Sequence, residues 1–126
     1  MIIANVGGER KMHVIVGGVL EKEGKVLLVQ EAQKKCYKKW NIPAGHLDCN
    51  ETLMQGAIRE IREETGYDVE LTGILNIANR VMKDDILVTI IFSTKIVRET
   101  SDYMTEEILD RKWYNYDDIL NNMDEE

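Results

Sequence analysis

The stretch from Thr52 to Gly66 constrains the fold more than any other, because it carries a helix with both its start and its stop. Thr52 followed three residues later by Gln55 fits a capping box, in which each side chain answers the other's backbone N–H. Gly66 suits the position just past a helix end, where left-handed backbone stops the spiral. The spacing therefore predicts one helix over residues 52–65. On a wheel of about 100° per residue, Met54, Ile58, Ile61 and Thr65 form a stripe expected to pack on a sheet. Nearly opposite lie Leu53, Gly56, Ala57, Glu60 and Glu64, with Glu63 beside them. The small residues there are expected to leave room for something bulky to approach the acids.

Three carboxylates on one patch are electrostatically awkward. Glu60 and Glu64 are like charges at i, i+4, and Glu60 and Glu63 at i, i+3; each such pair costs about 0.2–0.5 kcal/mol in an isolated helix. Arg59 can reach Glu63 at i+4, but one guanidinium cannot neutralise three acids. A hard divalent cation can, since magnesium prefers carboxylate and water oxygens and keeps positions open for substrate phosphates. The charge of the whole chain points the same way. Sixteen basic against twenty-three acidic residues give a net charge of -7, a field that repels polyanions. A long nucleic acid is not an expected partner, and a phosphorylated ligand needs a cation between itself and the protein. The competing reading of the helix alone is a solvated acidic face with no function.

At 126 residues, 44% hydrophobic and 31% charged, the chain is expected to form a single domain over 1–126, with 1–11 and 122–126 peripheral. Cys36 and Cys49 are too few for a disulfide framework and are expected to be reduced thiols. Met1–Lys11 lacks a signal-peptide pattern, and the apolar runs Val14–Leu20 and Ile86–Phe92 are far shorter than the ~20 residues of a membrane span. A soluble, cytoplasmic protein is expected. Residues 13–20 and 25–31 read as the two arms of a hairpin around Glu21-Lys22-Glu23-Gly24. Ala32–Lys39 reads as a basic loop, and Trp40-Asn41-Ile42-Pro43 as a short strand entering a loop. Residues 69–77, 86–97 and 113–114 read as strands, with Asn115 capping a last helix through about Met123. This order predicts a mixed α/β domain rather than a regular parallel one.

A longer pattern surrounds the helix. From Gly45 the chain runs five residues to Glu51, seven more to Arg59, then Arg59-Glu60-Ile61-Arg62-Glu63-Glu64-Thr65-Gly66-Tyr67. This resembles a complete Nudix box, G-x5-E-x7-R-E-U-x-E-E-x-G-U with U bulky and apolar. The chance of one such match in a chain of this length is on the order of one in a million from ordinary residue frequencies. Trp40 to Leu47, the strands before them, and Trp113-Tyr114 before a helix are also similar to members of this superfamily, so the likeness covers roughly residues 13–120. Tyr67 is a mild departure, since the last position is usually aliphatic.

The resemblance implies the Nudix fold, an α/β/α sandwich around a mixed β-sheet. It implies that Glu60, Glu63 and Glu64 coordinate metal, Mg2+ with Mn2+ as substitute, and that Arg59 orients the glutamates. Glu51 is expected to ligate metal through water or to hold Arg59, and the carbonyl of Ala44 or Gly45 to add a ligand. The general base is expected among Glu63 and Glu64 in the box and Glu106 and Glu107 in the late loop. Trp40, Ala44 and His46 are candidate substrate contacts, Trp40 by stacking on a base.

The activity so implied is a metal-dependent hydrolase that cleaves the diphosphate linkage of a nucleoside diphosphate bound to another moiety X. A nucleoside triphosphate or small pyrophosphate compound is the favoured substrate. Pro43-Ala44-Gly45-His46-Leu47-Asp48 is similar to broad-range phosphatase members of the superfamily. ADP-ribose or a nucleotide sugar is the alternative substrate, and a non-catalytic nucleotide sensor is the alternative of another class. Homodimerisation, with Met1–Met12 adding a strand at the interface, is also compatible with the sequence.

Overall fold

The computed structural model describes residues 5–6, 10–32, 38–100 and 108–122. Eleven elements follow in order: β1 (Asn5–Val6), β2 (Arg10–Val19), β3 (Glu21–Lys22), β4 (Lys25–Glu31), β5 (Trp40–Asn41), β6 (Ala44–His46), α1 (Leu53–Thr65), β7 (Tyr67–Val81), β8 (Asp85–Glu99), β9 (Ile108–Asn115) and α2 (Tyr116–Asn122). Among the described residues no helix is long and apolar enough to cross a membrane.

The strands form two sheets. The first runs β1-β2-β8-β7, with β6 also pairing β2, and the second runs β3-β4-β5, with β9 also pairing β4. β2 and β8 are parallel, while the other pairs in the first sheet are antiparallel, so that sheet is mixed as expected. The 13–20/25–31 hairpin is a correction. Glu23 and Gly24 both have positive φ (54° and 77°), as a two-residue hairpin turn requires. That turn joins only Glu21–Lys22 to Lys25–Val26. The earlier arm belongs to β2 in the other sheet, and the chain changes sheets at Leu20, which is fully buried. Two sheets packed through apolar side chains remove more surface from water than one extended ribbon can.

α1 joins these layers. Ala57 packs with Val16, Ile90 and Phe92 of the first sheet. Ile61 packs with Leu20, Leu27, Tyr67 and Val69, with Trp113 against them. Fully burying a Leu or Ile side chain contributes about 1.5–3 kcal/mol, so this second cluster is a main tie between the sheets. Both ends of α1 are as expected. The Gln55 N–H donates to Thr52 Oγ1 at 3.1 Å, the Thr52 N–H donates to Gln55 Oε1 at 2.9 Å, and Gly66 is left-handed with φ 79°.

The face that α1 buries differs from the wheel. Met54 and Ile58 are exposed, whereas Gly56, Ala57, Glu60, Ile61, Glu64 and Thr65 are buried. The acids point inward on the same side as Ile61. Nor do the small residues leave a space: a Cβ on Gly56 would lie 2.5 Å from Leu47 and 2.9 Å from Glu51 Oε1. Close approach of helix and strand, rather than apolar content, decided which stripe went inside.

Candidate active site

The site is the seam between α1 and β6. β6 is held antiparallel to β2, with Gly45 opposite Val16, and the Leu47 N–H donates to the Val14 carbonyl at 2.9 Å. This fixes a short strand directly over the carboxylates of α1. The Ala44 N–H donates to Glu64 Oε1 at 3.0 Å. A Cβ on Gly45 would fall 2.3 Å from both carboxylate oxygens of Glu60, so any side chain at 45 would occupy the place of that carboxylate. Glu60 and Glu64 are only 7% and 5% exposed. Burying carboxylates is unfavourable unless hydrogen bonds or cations compensate.

Arg59 supplies part of that compensation. Its Nε and Nη2 form a fork on Glu51, at 3.0 Å to Oε2 and 2.7 Å to Oε1. Its Nη1 donates to Glu60 Oε2 at 3.2 Å and to Glu63 Oε1 at 3.1 Å, and its Nη2 donates to the His46 carbonyl at 3.1 Å. The planar guanidinium can hold so many partners because its donors lie in a rigid fork. Glu51, which also accepts from the Asp48 N–H, is held below the ordinary carboxylate range, chiefly by the Arg59 hydrogen bonds. Arg59 in turn is raised, with Glu51 the main cause and burial opposing it. Four acids (Asp48, Glu51, Glu60 and Glu63) stand around one guanidinium.

Among the described residues no three acidic, histidine or cysteine side chains converge into a ready-made metal cage. Glu51, Glu60 and Glu63 reach toward Arg59, and Glu64 reaches toward Ala44. This arrangement still fits a magnesium-type ion, which binds through one or two carboxylates plus water and substrate phosphates rather than through an all-protein cage. Glu60 and Glu64 are the carboxylate oxygen donors that the seam offers, with the backbone of Ala44 turned toward them and that of Gly45 paired with Val16.

Beside the seam lies an open cavity of about 360 Å³ lined by Glu31, Asn41, Ile42, Ala44, Thr89 and Ile91. Of the expected substrate contacts only Ala44 lines it. Trp40 is half-buried, edge-on to Tyr114 at a centroid distance of 5.4 Å. The ring of His46 is edge-on to His13 at 6.1 Å, and only its carbonyl joins the carboxylate cluster. Glu106 and Glu107 lie outside the described residues, as does Cys36; Cys49 is exposed and free. Glu31, Thr89 and Ile91 escaped sequence reasoning because no local motif marks them. The alternation of β8 was the available signal: Ile90 and Phe92 face α1, so Thr89 and Ile91 face the other way.

Comparison with known proteins gives a consistent picture. A family model described as the NUDIX domain matches residues 10–126. Human 8-oxo-dGDP phosphatase NUDT18 is 30% identical over 102 residues, which are 81% of this chain and 32% of that protein. Phosphatase NudJ of Escherichia coli O1:K1 / APEC is 47% identical over 60 residues, 48% of this chain and 39% of that protein. The chain thus spans well under half the length of the curated relatives it matches. A solved NUDIX hydrolase from Nitrosomonas europaea superposes with a TM-score of 0.82 at 29% identity, covering 90% of this chain and 79% of its own. A MutT NUDIX hydrolase from Burkholderia pseudomallei gives 0.75 at 20% identity, with 86% of each chain covered, a likeness of fold alone.

Proposed function

This chain belongs to the Nudix family, and we propose that it hydrolyses the diphosphate linkage of small nucleotides with magnesium as its ion. Nudix hydrolases generally use divalent metal ions. The observation that carries the reading is the pair Glu60 and Glu64, almost wholly buried under β6, with Glu64 accepting from the N–H of Ala44, a residue that also lines the cavity. Two carboxylates buried side by side suit a divalent cation, and a cation there favours a polyphosphate.

Each residue has a part in this scheme. Glu60 and Glu64 would hold the ion, with the carbonyl of Ala44 or Gly45 as a further ligand. Arg59 positions Glu60 and Glu63, and Glu51 holds Arg59. When bound, the cation neutralises phosphoryl charge and makes water a better nucleophile. Water oxygen forms a bond to one phosphorus as the bridging P–O bond breaks. The water proton passes to a carboxylate, for which Glu63, Glu64, Glu106 and Glu107 are the candidates. The leaving phosphate departs with the bridging oxygen and its electron pair. The adjoining cavity receives the nucleoside, with Ile42 and Ile91 against its flat faces and Asn41, Thr89 and Glu31 within reach of polar edges.

We place nucleoside di- and triphosphates ahead of ADP-ribose and nucleotide sugars. Support comes from the size of the cavity and from NUDT18, whose name gives 8-oxo-dGDP as its substrate. The test is phosphate release across nucleoside di- and triphosphates, dinucleotides and nucleotide sugars, with magnesium and with chelator. Release is expected only with the ion, and Glu64→Gln is expected to lower it by about 100-fold or more. Release that ignores both chelator and substitution overturns the proposal.

A further inference from the structure

The acids of α1 stand at the less favourable end of their helix. Glu60, Glu63 and Glu64 all lie in its last six residues, where the aligned peptide dipoles leave the backbone negative. Arg62 is the basic residue of that last turn, and its exposed side chain pairs with Asp68 at 3.4 Å. A second cation reaches this end from the other sheet. Arg111 of β9 donates through Nη1 to the carbonyl of Thr65, the last residue of α1. Its Nη2 donates to Glu99 Oε2 at 3.1 Å, and its guanidinium lies over the Tyr67 ring, 5.3 Å from the centroid. Tyr67 fills the box position where an aliphatic residue is usual. Its ring is edge-on to Trp113, which stands two residues beyond Arg111 on the same face of β9. The next carbonyl, that of Gly66, accepts from the N–H and the hydroxyl of Thr100 at 2.6 and 2.8 Å.

From these contacts we infer that Arg111 is a positioning residue for the metal-binding carboxylates, acting through the last turn of α1. The inference rests on the reading of Glu60 and Glu64 as the carboxylates that hold the ion. Glu64 immediately precedes Thr65, so the carbonyl that Arg111 holds fixes the backbone from which the Glu64 side chain reaches the Ala44 N–H. The last carbonyls of a helix have no partner within it, and a turn left without one frays. Carboxylates on a frayed turn must be ordered by the ion as it binds, and that ordering weakens the binding. Arg111 supplies the order beforehand. Its positive charge also opposes the repulsion among acids gathered at the negative end of the helix. A contact that only held the fold together would change stability without changing the affinity for magnesium.

The test is calorimetric titration of the full chain with magnesium alone, run beside the release assay. Arg111→Met is expected to weaken magnesium binding by about 10–100-fold, as loss of a contact behind a metal ligand does. Arg111→Lys keeps the cation but not the fork, and is expected to fall between Arg111→Met and the wild type. Thr52→Ala loosens the opposite end of α1 and is expected to bind magnesium as the wild type does. Wild-type affinity in Arg111→Met overturns the inference, as does an equal loss in Thr52→Ala. If Arg111→Met does not fold, wild-type affinity in Arg111→Lys overturns it instead. A wild type that binds magnesium but releases no phosphate overturns the hydrolase reading alone, because the affinities still decide the role of Arg111.

Discussion

Gly45 stands so close to Glu60 that a Cβ on the glycine would lie 2.3 Å from either carboxylate oxygen. The glycine is therefore the space in which a buried acid sits, and it couples the strand β6 to the helix α1. The glutamate cannot yield easily, because Arg59 Nη1 holds one of its oxygens.

Gly45→Ala is accordingly expected to push Glu60 or β6 aside. Overpacking of this kind costs about 1–3 kcal/mol, readable as a shift of the urea midpoint at unchanged slope. The magnesium concentration for half-maximal hydrolysis is expected to rise at the same time, since Glu60 leaves its place. A fully stable variant with wild-type magnesium dependence contradicts this account of the seam.

Arg59→Lys tests the fork. A lysine ammonium cannot span Glu51, Glu60, Glu63 and the His46 carbonyl together, as the guanidinium does. Loss of such a supporting contact lowers activity or metal affinity by about 10–100-fold. The expected signature is a higher magnesium requirement at a modest loss of stability, measured by titrating the ion in the release assay.

Acid stability should carry the mark of Glu51. Its folded pKa lies below the ordinary range because Arg59 stabilises the charged form, so between the two values the unfolded chain binds the extra proton. The stability it contributes is present above about pH 4.3, the unfolded glutamate value, and is lost as pH falls below that through the folded pKa. Melting curves from neutral to acid pH should show a steep decline in the wild type and a shallower one in Glu51→Gln. Parallel declines rule the linkage out.

Magnesium itself should stabilise the fold. A ligand that binds only the native state adds about 2.7 kcal/mol at a hundred times its dissociation constant. The wild-type melting temperature is expected to climb with magnesium and to fall back on chelation. In the double variant Glu60→Gln with Glu64→Gln, no climb is expected, and a persistent one would move the ion to another place.

Thr52→Ala isolates the helix start from the chemistry. It removes the Oγ1 acceptor of the Gln55 N–H and is expected to lower stability by about 1 kcal/mol. Hydrolysis at temperatures well below the melt is expected to remain at wild-type level, since Thr52 touches none of the carboxylates.

The helix was legible because its signals are local. Thr52, Gln55 and Gly66 act on backbone groups within one turn, and such groups need partners whatever surrounds them. The linkage of Arg59 to Glu63 was legible for the same reason, as an i, i+4 contact. Of the stripe expected to pack inward, Ile61 and Thr65 are buried, whereas Met54 and Ile58 are exposed. Met54 and Ile58 look like core on hydrophobicity, yet Gly56 and Ala57 form the surface that can approach Val16 and Leu47 most closely.

Spacing along the chain by itself determined the capped helix, the Gly45-to-Tyr67 pattern and the excess of acid over base on one helix. All of these depend on neighbours within a few turns or on simple charge. Tertiary structure alone decided that the acids face inward, that β2 and β4 part into different sheets, and that Glu31, Asn41, Thr89 and Ile91 border one cavity. Those relationships join residues far apart in sequence, and the physical term that sets them is close packing between separate elements, which no single segment carries within itself.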